Sequence, residues 1–318
     1  MEELEQYLEF DAAFVQVEEL VKKALSSPAL SIRQFTEYLG RSRGKYIRAK
    51  SLLTCAMDKQ GKIHPNAVKF AATIEVLHLA TLVHDDVIDD ADLRRGMPTL
   101  QKQFGKKTAV ICGDYLLCIA LALGTSVENR GDYLDLEFPD YIRRICLGEL
   151  NEHLNQNNFD LSIREYLRII SGKTAALFEA SFYGGSLLVT REDRILKQYA
   201  RLGRYLGMIF QLLDDCADYE EQEYAEKKPV QSDFEQGVIT LPLIQALKDP
   251  FFREKAKASE LELKEVNDAV RSCGGLSFTK TIARKYYKKA AYIINALDVT
   301  EYKRERLLEL LNRAFRAA

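Results

Sequence analysis

Apolar residues recur at intervals of three and four along most of the chain. Ala67, Phe70, Ala71, Ile74 and Leu77 mark one such stripe, and Tyr166, Ile169, Ile170, Leu177 and Phe178 another; this is the period of a helix that buries one face. No run alternates in the manner of a strand, and no Asn-Gly or Asp-Gly pair signals a hairpin. From Asp140 to Lys228 there is no proline, and Leu, Ala, Glu, Lys and Arg abound, which favours long helices. The pattern predicts an all-α fold with helices near residues 2–25, 29–39, 45–59, 65–92, 106–126, 139–157, 162–189, 193–219, 238–248, 262–273, 276–296 and 300–316. The segment from Tyr115 to Leu123 is apolar on every side, so its helix is expected at the centre of a bundle. No Gly/Ser/Pro-rich linker interrupts the chain, which predicts a single domain over residues 1–318. The polar stretch from Tyr219 to Gly237, with Pro229, reads as a mobile loop over a site.

Charge narrows the function. The 318 residues carry 45 Lys+Arg against 47 Asp+Glu, a net charge of −2, so no broad basic field exists to hold nucleic acid. Acids occupy the N-terminus, where a secretory signal would be basic and then apolar. The longest apolar stretch, Ala109 to Gly124, is interrupted by Asp114 and falls short of the ~20 residues of a spanning helix. A cytoplasmic location without an integral membrane segment is expected. Six scattered cysteines lack C-x-x-C spacing and read as reduced core thiols.

Chemistry concentrates in a repeated acidic signature. Asp85-Asp86-Val87-Ile88-Asp89 ends one apolar segment, and Asp214-Asp215-Cys216-Ala217-Asp218 ends another. At about 100° per residue, Asp85 and Asp89 share a helix face, as do Asp214 and Asp218. Carboxylates crowded at a helix C-terminus repel one another and oppose the macrodipole unless a cation resides there. Mg²⁺ suits such a place, because it takes one or two protein carboxylates and fills its other positions with water and phosphate oxygens. One signature alone reads equally as a solvated acidic helix end; two opposed across a cavity would hold a phosphorylated substrate. Basic residues that could bind phosphate lie near in sequence: Lys45, Arg48, Arg94, Arg95, Lys173 and Lys228. His78 stands seven residues before Asp85, and Gln211 seven before Asp218, which places each on the face of its signature about 10 Å along the helix.

The run L-V-H-D-D-V-I-D-D-A-D-L-R-R-G, then F-Q-L-L-D-D-C-A-D-Y, K-P-V-Q-S-D and T-L-P, resembles the trans-polyprenyl diphosphate synthases, over roughly Arg43 to Leu247. That resemblance implies an all-α bundle around a deep cavity and a Mg²⁺-dependent prenyltransferase. Such an enzyme condenses isopentenyl diphosphate with an allylic diphosphate, such as farnesyl or geranylgeranyl diphosphate, into a longer all-trans chain. It implies Mg²⁺ on Asp85 and Asp89 with Asp86 in support, and on Asp214 with Asp215 and Asp218 holding waters. Arg94, Lys173 and Lys228 then match the cations on the allylic diphosphate, and Lys45, Arg48, His78 and Arg95 the isopentenyl diphosphate pocket. Thr174 and Gln211 match positions facing the carbocation, and the released diphosphate takes the proton.

Departures from the family pattern are visible. Its G-G-K-x-x-R-P reads Arg43-Gly44-Lys45-Tyr46-Ile47-Arg48-Ala49, its G-E-x-x-Q reads Gly148-Glu149-Leu150-Asn151-Glu152, and Lys227 and Val238 replace a Gly and a Lys around the loop. In the family, an aromatic four or five residues before the first signature stops chain growth. Here those positions are Thr81 and Ala80, and the resemblance is greatest to hexaprenyl and heptaprenyl synthases. A homodimer is expected, or a heteromer with a small regulatory chain. A short-chain farnesyl or geranylgeranyl synthase, a non-catalytic subunit and a terpene cyclase are the competing readings. Both signatures and both arginines are retained, which weighs against the subunit, and the isopentenyl pocket weighs against the cyclase.

Overall fold

The computed structural model describes residues 7–26, 30–40, 44–129, 131–134, 140–220 and 232–316. In chain order these form α1 (Phe10–Leu25), α2 (Leu30–Gly40), α3 (Ile47–Cys55), α4 (Asn66–Ile88), β1 (Leu93–Arg94), β2 (Met97–Pro98), α5 (Leu100–Phe104), α6 (Lys106–Thr125), α7 (Gly131–Leu134), α8 (Tyr141–Leu154) and α9 (Ile163–Lys173). There follow α10 (Ala175–Ser186), α11 (Asp193–Glu220), α12 (Ser232–Glu235), α13 (Leu241–Ala246), α14 (Pro250–Lys257), α15 (Leu263–Ser272), α16 (Gly275–Ala296) and α17 (Glu301–Arg316).

The all-α expectation holds, with local differences that have physical causes. A two-stranded antiparallel hairpin follows α4, pairing Leu93 with Pro98 and Arg94 with Met97. Its turn is made by Arg95 and Gly96, both at positive φ (52° and 75°), the geometry of a primed hairpin turn. Arg-Gly does here what Asn-Gly does elsewhere. The helix expected to reach residue 92 stops at Ile88, where Asp89 caps it. The helix expected over 162–189 is two, separated at Thr174. α14 was not anticipated, although Asp249 accepts a bond from Phe252 N (2.8 Å) and Pro250 opens the helix, both start signals.

The chain divides into two compact units. One contains residues 1–138, 181–199 and 299–307. In it α4 is the central element, packed on α6, α1 and α3. Ala67, Ala71, Ala72 and Ala80 are all but fully buried along it, and side chains this small let neighbouring helices approach closely. α6, expected at a bundle centre, leaves Ile111 and Leu121 exposed at 62% and 52%. α4 and α6 are both long and apolar enough to cross a membrane by length and composition, contrary to the expectation that no stretch reaches that length. Half of α4's most apolar window is nonetheless buried in protein. Lys303, 3% exposed, donates to the carbonyls of Cys55 and Met57 (2.7 Å each), placing an ammonium at the negative end of α3.

The second unit contains residues 139–180, 200–298 and 308–318. α8 and α9 cross at Gly148 and Gly172: a Cβ on Gly148 would lie 2.1 Å from the Lys173 nitrogen. α11 buries Leu202, Leu206, Ile209, Leu212 and Leu213, and α13 packs on α15 and α16.

Candidate active site

In the first unit the C-terminal turn of α4 carries the first acidic signature. Asp89 N donates to Asp85 O (2.8 Å), and both side chains are half-buried on one face. Asp86 is buried and binds Arg94 Nε at 2.6 Å. Burial raises its carboxyl above the ordinary range, and Arg94 opposes that rise. The loop that brings Arg94 back to Asp86 is pinned from behind. Thr99 Oγ1 and Gln101 Nε2 both donate to Ala91 O (2.6 and 2.9 Å), and Lys106 pairs with Asp90 at 2.9 Å. Arg95 passes close by Gly44, where an added Cβ would meet its guanidinium at 3.6 Å. A cavity of about 380 Å³ is lined by Gly44, Tyr46, Glu75, His78 and Arg95 among others. Burial, then the charges of Arg48, Arg95 and Arg94, hold His78 well below the ordinary imidazole range, so it is neutral. Burial lowers Arg48 to about 10, opposed by Glu75, so it remains charged near neutral pH. Lys45 is exposed just before α3. Ala80 is 2% exposed, while Thr81 is half-buried with its hydroxyl on His78 O (2.9 Å).

In the second unit a chain of hydrogen bonds runs through the second signature. Thr174 Oγ1 donates to Gln211 Oε1 (2.6 Å), Gln211 Nε2 donates to Asp215 Oδ1 (2.7 Å), and the Tyr166 hydroxyl donates to Asp215 Oδ2. Gly207 permits it: a Cβ there would lie 2.5 Å from Ala175 Cα, so α11 passes close beside Thr174–Ala175, and Gln211 is one turn further on. Asp215 is 3% exposed. Burial raises its carboxyl to about 7 against the bonds from Tyr166 and Gln211, with the charges of Asp214 and Glu152 adding to the rise. Asp233 is pushed well above the carboxylate range by burial and by Asp215, Asp218, Glu152 and Asp214. Lys173 Nζ pairs with Glu149 at 3.0 Å and with Glu152. Lys228 lies outside the described residues, as does most of the expected closing loop.

Among the described residues no three His, Cys, Asp or Glu side chains converge into a metal cage. A cage is not what Mg²⁺ requires, since it keeps waters and phosphate oxygens in most positions. The donor chemistry fits: both signatures offer only hard carboxylate oxygens. In the second unit the carboxylates outnumber the cation beside them, and Asp215 and Asp233 are driven toward their neutral forms, the electrostatic condition that a bound cation relieves.

The polyprenyl synthetase family model matches residues 30–272. The chain belongs to that family. Among polyprenyl synthetases, heptaprenyl diphosphate synthase component 2 of Bacillus subtilis is 33% identical over 266 residues, covering 82% of this chain and 75% of the relative. Octaprenyl diphosphate synthase of Escherichia coli is 33% identical over 305 residues, 91% of each chain. The crystal structure of heptaprenyl diphosphate synthase from Staphylococcus aureus superposes with a TM-score of 0.86 at 30% identity, over 97% of this chain and 98% of the other. The prenyltransferase activity implied by the motifs is that of its family.

Several residues of this polyprenyl synthetase stand at the candidate site without having been given a role there from sequence. Tyr166 had been read only as part of an apolar stripe, yet its hydroxyl ends on Asp215. Glu149 and Glu152 hold Lys173, which gives the departure at Glu152 a structural partner. Asp233 joins the second acidic group, and Glu75 lies among the cations of the first unit. The signal for Tyr166 was its spacing, seven residues before Lys173 on the same helix face.

Proposed function

We propose that this prenyltransferase extends an allylic diphosphate with isopentenyl diphosphate units, using the residues of both acidic signatures in one reaction. The observation that carries this reading is that each unit sets a cation beside an acidic helix end. Arg94 is fixed on Asp86, and Lys173 is fixed next to the Thr174–Gln211–Asp215 chain.

Asp85 and Asp89 would hold Mg²⁺ in the first unit, and Asp214 in the second, with Asp215 and Asp218 orienting its waters. Both carboxyl oxygens of Asp215 are engaged by Tyr166 and Gln211, which suits orientation better than direct ligation. Bound there, Mg²⁺ supplies Lewis acidity to the departing diphosphate. Arg94, Lys173 and Lys228 add fixed positive charge as the allylic carbon–oxygen bond breaks. The Thr174 hydroxyl and Gln211 carbonyl oxygens present their dipoles to the allylic cation. Lys45, Arg48, Arg95 and neutral His78 hold isopentenyl diphosphate, whose double bond attacks that cation to form the new carbon–carbon bond. The released diphosphate takes the proton that restores a double bond.

Small side chains at Ala80 and Thr81 favour a long product; heptaprenyl and octaprenyl synthases stand among the relatives, as do geranylgeranyl synthases. Both units belong to one catalytic domain on this reading, because α10 and α11 each contribute residues to both. The exposed apolar face of α6, with Ile111 and Leu121, is the surface for a homodimer, and the chain works in the cytoplasm. A heteromer is the second reading, favoured by the name "component 2" carried by two relatives. The test is incubation of the purified chain alone with Mg²⁺, farnesyl diphosphate and labelled isopentenyl diphosphate, followed by sizing of the products. Elongation beyond geranylgeranyl diphosphate supports a self-sufficient long-chain enzyme; no elongation overturns it.

A further inference from the structure

Helix α3 starts without a cap of its own. Tyr46, at its N-cap, has left-handed backbone (φ 51°) and makes no side-chain capping bond, so the first-turn amides need partners elsewhere. One is found on another helix: Ala49 N donates to Glu75 Oε1 of α4 at 2.9 Å. Arg48, the neighbour of Ala49, is half-buried. Glu75 lines the 380 Å³ cavity together with His78, one turn further along α4, and with Gly44, Tyr46 and Arg95. The charges acting on Glu75 are those of Arg48, Arg95 and Lys50, and they oppose the rise that burial imposes on its carboxyl. A single carboxylate therefore touches both the start of the helix that carries Arg48 and the electrostatics of the cavity that Arg95 enters.

We propose that Glu75 is a positioning residue for the isopentenyl diphosphate pocket: its carboxylate caps α3 at Ala49 and supplies the counter-charge that keeps Arg48 and Arg95 in place for the diphosphate. This rests on the assignment of Arg48, His78 and Arg95 to that pocket. Glu75 itself, being anionic, does not contact the diphosphate. Its backbone bond fixes its carboxylate, which then sets a negative charge near two arginines that repel each other.

The two roles separate by substitution. Glu75→Gln keeps an oxygen for Ala49 N and removes the charge, whereas Ala49→Pro keeps the charge and removes the N–H, adding a ring at a fully buried first-turn position. Calorimetric binding of isopentenyl diphosphate, which needs no turnover, is measured beside steady-state kinetics on the full chain. Glu75→Gln should weaken isopentenyl diphosphate binding and raise its KM by about tenfold, equivalent to about 1.4 kcal/mol. The allylic KM and the saturating kcat should stay within about twofold. Ala49→Pro should show the same selectivity at about threefold. Glu75→Gln with wild-type affinity for isopentenyl diphosphate, or with both KM values raised alike, overturns the proposal. A wild-type chain that binds isopentenyl diphosphate Glu75-dependently yet does not elongate would overturn the catalytic reading and leave the positioning role standing.

Discussion

Gly148→Ala tests how closely the second unit's helices must approach to place Lys173. A Cβ at Gly148 would lie 2.1 Å from Lys173 N, 2.6 Å from Gly172 C and 2.9 Å from Lys173 Cα. All three are backbone atoms, so no side chain can rotate aside. Ordinary carbon contacts begin near 3.5 Å, and α8 and α9 must separate by more than about 1 Å. Overpacking of this kind costs about 1–3 kcal/mol, and a rigid opposing backbone puts the expectation at the upper end. For a chain of 318 residues each kcal/mol lowers Tm by about 1.5 °C, so a fall of about 4–5 °C is expected. The same displacement moves Lys173 away from Glu149 and Glu152, and the allylic KM should rise. Thermal melting by circular dichroism and steady-state kinetics read the two effects. Gly131→Ala is the control, since its Cβ meets nothing within 4 Å. A Gly148→Ala melt within about 1 °C of wild type would refute the close-crossing argument.

Other outcomes follow from single residues. Burial lowers Lys303 from 10.5 to about 8; between those values the unfolded chain binds more protons, so stability rises with pH by up to about 3 kcal/mol. That rise should vanish in Lys303→Met, and identical denaturant midpoints against pH for the two proteins would contradict it. Ala80→Phe and Thr81→Phe should each shorten the product, and unchanged product sizes in both would reject these positions as controls of length. Tyr166→Phe leaves a buried Asp215 oxygen without its donor, at a cost of about 1–3 kcal/mol. It should lower kcat with little change in either KM, and a wild-type kcat would show the chain through Asp215 to be idle.

The fold was legible because its helices bury one face and announce it every three or four residues. The hairpin after α4 was not, because Arg95 supplies a positive-φ turn residue that ordinarily is Asn or Asp. α6 misled for a related reason: one side of it is buried against α4 while, among the described residues, Ile111 and Leu121 stay exposed, and sequence alone does not tell an apolar side chain buried in the fold from one left at the surface. At the site, paired aspartates and helical spacing pointed to Asp85, Asp89, Asp214 and Gln211. The partners of Tyr166, Glu75 and Glu152 were not legible because each lies far away in sequence, at Asp215, Ala49 and Lys173.

The proposed use of both acidic signatures in one prenyl transfer is tested by two variants. Asp85→Asn and Asp214→Asn, each made alone and each melting like wild type, should both lose most prenyl transfer from labelled isopentenyl diphosphate at saturating Mg²⁺. A wild-type rate in either variant would show that its signature takes no part in the transfer.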